Sequence, residues 1–127
     1  MNTPSELKYT KTHEWVSFSD DNTARVGLTD YAQHALGDIV FVDLPDIGDE
    51  VVMEESFADV ESVKAVSEVN SPVTGVISDV NEKLVDAPEA INEDPYDAWI
   101  IEINRFTDKI ELMDADDYDV FCESEEA

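Results

Sequence analysis

Short runs of alternating or wholly apolar residues, each closed by turn residues, dominate this chain. Glu14 to Phe18 and Thr23 to Leu28 flank the polar stretch Ser19-Asp20-Asp21-Asn22, which predicts a hairpin. Thr29 to Leu36 reads as a short helix, with Thr29 able to cap its start and Gly37 able to end it at positive φ. Asp38 to Leu44 is almost entirely apolar, the pattern of a strand covered on both faces. Pro45 to Asp49 makes a turn, and Val51 to Met53 a short strand beyond it. Phe57 to Val63 and Ala65 to Asn70 are strand-like halves about Lys64, and Pro72 and Gly75 punctuate the return before Val76, Ile77 and Val80 continue it. Asn81 to Asp94 is loop-like, because Pro88 and Pro95 prevent a long helix. Ala98 to Ile103 predicts a strand whose more apolar face carries Trp99, Ile101 and Ile103. Thr107 to Met113 reads as a helical turn. Asp114 can cap a last helix, about 114–124, that turns Tyr118, Phe121 and Cys122 inward, and Glu123 to Ala127 is expected to fray. Many short strands with turns roughly every eight to twelve residues indicate an all-β sandwich or barrel.

Length and charge narrow the picture. The 127 residues make one domain, 1–127, with room for a single core. Cys122 is the sole cysteine, which excludes an internal disulfide and four-cysteine zinc sites. No apolar run is long enough to cross a bilayer and none resembles a signal peptide, so a cytoplasmic, soluble protein is expected. The formal charge is −25, from 32 acidic and seven basic residues spread along the whole chain. An even spread is a property of the surface rather than a binding tail. Self-repulsion of this size destabilises the compact state in dilute buffer, and about 1 M salt shortens the screening length to roughly 3 Å. The expected setting is therefore the salt-rich cytoplasm of a halophile. The same charge argues against nucleic-acid and anionic-membrane partners, mimicry of DNA aside.

Against that background Lys64 stands out. It lies in Glu61-Ser62-Val63-Lys64-Ala65-Val66-Ser67-Glu68, followed by Asn70-Ser71-Pro72-Val73-Thr74-Gly75. Strands of about six residues can run from the Gly48 turn to the lysine and back to Pro72 and Gly75, a protruding hairpin over about 56–81. Small Ala65 and polar Ser62 leave the tip uncrowded. Such a post offers a primary amine for covalent attachment.

The segment ESVKAVSEVNSPVTG resembles the lipoyl-attachment region of the H-protein family of the glycine cleavage system. KYTKTHEWV, VGLTDYAQHALGDIVFVDLP, NEDPYDAWIIEI and the closing acidic helix resemble the same family in the same order, over nearly the whole chain. Biotin carriers differ in setting their lysine between two methionines, where this chain has Val63 and Ala65. The resemblance implies a barrel-sandwich hybrid of antiparallel sheets with short helices and a C-terminal helix. It implies lipoate bound as an amide to Lys64 Nζ, and a non-catalytic carrier that is best kept monomeric. The implied partners are glycine decarboxylase (P-protein), the tetrahydrofolate-dependent aminomethyltransferase (T-protein), dihydrolipoyl dehydrogenase (L-protein) and a lipoate-attaching enzyme. The carrier takes the aminomethyl intermediate from the first to the second and then presents the dithiol to the third. Thr12, Glu14 and Glu68 match the cleft into which the loaded arm folds. A carboxylate such as Glu14 can hold a protonated amine, with Thr12 accepting a second bond.

Other chemistry is thinner. His34 falls one position from the family's cleft histidine, where Ala35 stands, and is left outside the site. His13 has no nucleophile to serve and reads as a packing or hydrogen-bonding residue. Trp15 and Trp99 read as core or cleft wall, and Cys122 as a buried small hydrophobe. A small hydrolase built on His13 and Glu14 would need a nucleophile elbow or a paired cysteine, and neither is present. An acidic interaction module and an H-like protein that relays lipoate to other enzymes remain as alternatives.

Overall fold

A computed structural model describes residues 2–19 and 22–126, the last without its side chain. Asp20 and Asp21 of the first hairpin turn, and Ala127 of the tail, lie outside the described residues. Among the described residues nine strands and four helices follow in order: β1 Lys8–Tyr9, β2 Glu14–Phe18, β3 Thr23–Leu28, α1 Asp30–Leu36, β4 Ile39–Asp43, β5 Glu50–Val51, β6 Ser56–Ser62, β7 Val66–Asn70, β8 Val73–Val80, α2 Lys83–Asp86, α3 Ala90–Glu93, β9 Ile101–Lys109 and α4 Ala115–Glu126. They form a six-stranded sheet, β1-β2-β3-β9-β8-β5, and a three-stranded sheet, β4-β6-β7. Every pairing is antiparallel. The expected fold class, all-β with short helices and a C-terminal helix, is the one observed.

The inward faces of both sheets supply one core, including Val26, Val42, Val60, Val69, Ile77 and Ile103. A second cluster, Leu7, Tyr9, Trp15, Ala115, Tyr118 and Cys122, seats α4 against the β1–β2 end. Tyr9 and Tyr118 stack there with centroids 4.7 Å apart. Opposite Trp15 in the register is Gly27, where a Cβ would lie 2.7 Å from the indole ring. The missing side chain lets the indole lie on the strand, and its N–H donates to the Pro95 carbonyl at 3.0 Å.

Local signals placed α1 correctly. The Thr29 hydroxyl accepts from the Ala32 N–H, and Gly37 closes the helix at φ 82°. Other elements differ from the sequence reading. β4 is covered on one face only, since Val40 and Phe41 are half-exposed. Its apolar run signals a surface patch as well as a core strand. Gly75 lies inside β8 rather than in a turn. Two short helices, α2 and α3, replace the loop over 81–94, because Pro88 falls between them and breaks neither. The last long strand begins at Ile101 instead of Ala98 and takes up the first residues of the expected helical turn, Thr107 to Lys109. Pairing with β8 as far as Val73↔Lys109 holds that polar stretch extended. β1 was not foreseen at all, and α4 remains helical through Glu126 rather than fraying from Glu123.

Charge compensation is sparse. Among the described residues Arg25–Glu102 is an ion pair, and the His13–Glu125 contact becomes one only when the imidazole carries a second proton. Transfer from molar to millimolar salt is therefore expected to lower Tm by on the order of 10 °C. A melting temperature that does not move would remove the case for a charge-limited fold.

Candidate functional site

Lys64 is exposed at the tip between β6 and β7, the turn Val63 to Ala65. Ser62, the last residue of β6, holds that turn from below. Its side chain is buried, and its Oγ accepts from the Lys64 N–H at 3.2 Å and the Ala65 N–H at 3.1 Å, and donates to the Ala65 carbonyl at 3.2 Å. The Ser62 N–H donates to the same carbonyl at 2.8 Å, and the Val63 N–H donates to the Asp38 carbonyl at 3.0 Å. The tip is thus closed by its own serine and moored to Asp38, in the link between α1 and β4. A serine read as leaving the tip uncrowded is in fact its fastening, a side-chain-to-backbone turn of a kind serine forms readily.

A cleft of about 510 Å³ opens beside β7. Thr12, Glu14, Asn70 and Ser71 form its polar side, and Ile110, Leu112 and Met113 its apolar side. Glu14 is 1% exposed. Its Oε1 accepts from the Thr10 hydroxyl at 2.6 Å and the Thr12 hydroxyl at 2.5 Å, and its Oε2 accepts from the Asn70 N–H at 3.3 Å. Burial pushes the Glu14 carboxyl above the usual carboxylate range, and the bonds from Thr10, Thr12 and Asn70 pull against that shift.

The backbone that sets Thr12 and Glu14 is strained. His13, between them, has φ 73°, a left-handed conformation that costs about 1–2 kcal/mol outside glycine. Contacts on every side hold it. Nδ1 lies 2.7 Å from the Tyr118 hydroxyl, Nε2 lies 2.5 Å from Glu125 Oε1, and the ring stacks on Tyr31 at 4.6 Å. His13 is therefore a packing and hydrogen-bonding residue, as expected. His34 is exposed on α1 and takes no part in the cleft.

The structure brings Thr12 and Glu14 together. Glu68 is not among the residues lining the cleft. It is exposed on β7, and strand alternation sets it on the same face as Val66 and Asn70 while Val69 points into the core. Val66, Glu68 and Asn70 make a line of about 13 Å from the lysine tip to the cleft. The far wall was not legible in the sequence. Tyr9 and Met113 exchange backbone hydrogen bonds of 2.9 Å, and that bridge carries Ile110 to Met113 across from the C-terminal third of the chain.

Comparison with known proteins gives the family. The model of the glycine cleavage H-protein family matches residues 7–125. The chain belongs to that family. It is 58% identical to a glycine cleavage system H protein of Lachnoclostridium phytofermentans, over 98% of both chains. It is 54% identical to a probable glycine cleavage system H protein of Pyrococcus abyssi, over 93% of this chain and 90% of that one. Among solved structures, a glycine cleavage system H protein from Mycobacterium marinum superposes with a TM-score of 0.87 at 37% identity, covering 98% of this chain and 99% of the other. Among the described residues no helix is long and apolar enough to cross a membrane.

Proposed function

We infer that Lys64 is the lipoyl attachment site through which this chain works. The protein is the lipoylated shuttle of the glycine cleavage system, a carrier subunit rather than an enzyme. Held as an amide on Lys64 Nζ, lipoate would supply a disulfide able to accept the aminomethyl group left by glycine decarboxylation and, once the aminomethyltransferase has taken that group, a dithiol for dihydrolipoyl dehydrogenase to reoxidise. Lys64 at a stiff hairpin tip is the observation that carries the assignment. A fixed post lets a tethered group meet each active site at high effective concentration.

The chain's own residues fit such an arm. The line Val66, Glu68, Asn70 leads from the tip to the cleft, and Glu14 waits at its inner end behind Thr12. An ammonium arriving there meets a carboxylate already oriented by two hydroxyls, and the apolar wall of Ile110, Leu112 and Met113 limits water. Thr12 spends its proton on Glu14, so its oxygen is left to accept from the amine. An arriving positive charge favours the ionised carboxylate, so binding on the acidic side is coupled to proton release from Glu14.

Replacement of Glu14 by Gln tests this role. The sign follows from burial: the folded-state pKa is raised, so Glu14 contributes stability that is fully present below the usual carboxylate range. That contribution is lost as pH rises through the raised value. Glu14→Gln is thus expected to remove this decline, leave lipoylation intact and speed decay of the loaded arm by about 10-fold, the loss of one charged hydrogen bond. Decay at the wild-type rate would take Glu14 out of the cleft's function.

The direct test of attachment is intact mass of the protein purified from its own cells, with peptide mapping. One lipoyl group on Lys64 is the expected result, and protein that supports glycine cleavage while bare at that nitrogen overturns the assignment. The charge adds a habitat to this reading: a cytoplasm rich in salt.

A further inference from the structure

We propose that the outer face of the β4-β6-β7 sheet is the surface on which the lipoate-attaching enzyme docks. The proposal rests on Lys64 being the attachment site. It commits to one partner: an enzyme whose active-site entrance has an apolar ledge beside a strip of lysine or arginine.

Eight large apolar side chains are exposed among the described residues. Four of them, Val40, Phe41, Val63 and Val66, stand at the lysine end of this small sheet, and the other four are scattered elsewhere. In a chain with 32 acidic residues, so many exposed apolar groups around one lysine form a patch that calls for a cover. The register defines the patch. Phe41, Glu61 and Val66 face one another across the three strands, and a bulge between Ile39 and Phe41 adds Val40.

The next row outward is Asp43, Asp59 and Glu68, paired in register. Three carboxylates opposite one another on adjacent strands stand roughly 5 Å apart and destabilise the sheet. A basic partner surface neutralises that repulsion. The Lys64 stem lies beside the entry to β4, its Cε 3.6 Å from where a Cβ on Gly37 would sit.

The attaching enzyme is the partner this position selects. Enzymes that act on a finished arm need reach only its far end, which the line Val66, Glu68, Asn70 leads away from the tip to the cleft. Attachment joins Nζ itself to the acyl carbon of an activated lipoate, as the activating group leaves with its electron pair and the ammonium gives up two protons. The enzyme must therefore close over the tip, in contact with Val63 and Phe41.

The experiment uses the full-length unmodified chain, the lipoate-attaching enzyme of the same cells, lipoate and ATP, with the product read by intact mass. Phe41→Ser is expected to raise KM about 10-fold or more with kcat unchanged at saturation. The double variant Asp43→Asn, Asp59→Asn is expected to raise KM several-fold while melting no lower than wild type, which separates docking from folding. Val120→Ser, an exposed apolar site on α4, is expected to keep the wild-type KM. Wild-type KM in both patch variants overturns the proposal, as does a concentration-dependent dimer in sedimentation that Phe41→Ser dissolves, since the face would then serve a second copy of the chain. Failure of the wild-type chain to gain a lipoyl group takes down the attachment site and this surface together, a result distinct from either.

Discussion

Lys64→Arg is expected to abolish lipoylation and, with it, all glycine cleavage in a system reconstituted with the decarboxylase, the aminomethyltransferase and the dehydrogenase. The exchange keeps the positive charge and a long stem at an exposed tip. A guanidinium stays protonated at any working pH and offers no amine to acylate. Stability is expected to move by no more than about 0.5 kcal/mol, the usual range for a surface change. The backbone of the tip is fastened by Ser62, not by the lysine side chain, so the turn survives. Mass spectrometry and glycine-dependent carbon dioxide release read the two halves of the result. Turnover that persists in the arginine variant would move the carrier chemistry elsewhere on the molecule.

Gly75→Ala carries the largest expected cost to the fold itself. A Cβ at Gly75 would lie 2.6 Å from Ile103 Cγ2, 2.9 Å from the Asn104 carbonyl oxygen and 3.2 Å from Phe106 Cα. Ile103 is fully buried, and the other two atoms belong to the backbone of β9, so nothing nearby can swing aside. Overpacking of this kind costs roughly 1–3 kcal/mol, and contact with backbone places this site at the upper end. For a domain of this size the upper end corresponds to a fall in Tm of roughly 10 °C. The damage falls where β8 crosses β9, on the sheet that supports Ile110 to Met113 and thus the apolar wall of the cleft. A thermal melt that matches wild type would show that the two strands can part without penalty.

Gly75 also shows where reading from the chain stops. A glycine after Asn-Ser-Pro has the composition of a turn, and the turn is real, but it ends before Val73. The reason for the glycine is the approach of a strand that arrives roughly thirty residues later. The same holds for β4. Its apolar run is what a doubly covered strand shows, yet no element covers its outer face among the described residues. Ser62 is a third case: its burial and its hydrogen bonds exist only once the two strands beside it are paired.

The sequence alone determined whatever depends on neighbours along the chain. The capped helix α1, the β2–β3 and β6–β7 hairpins, the all-β class and the lysine between two valine-rich halves all follow from local pattern, because capping, turn chemistry and strand alternation act over a few residues. Family membership was legible as well, since it resides in ordered motifs. The tertiary structure decided what depends on residues far apart in the chain. It buries Glu14 under hydroxyls from Thr10 and Thr12 and an N–H from Asn70, and builds the opposite wall from residues near 110 through the Tyr9–Met113 bridge. A carboxyl group's surroundings set both its protonation and its use, and those surroundings arise only when distant segments pack and exclude water.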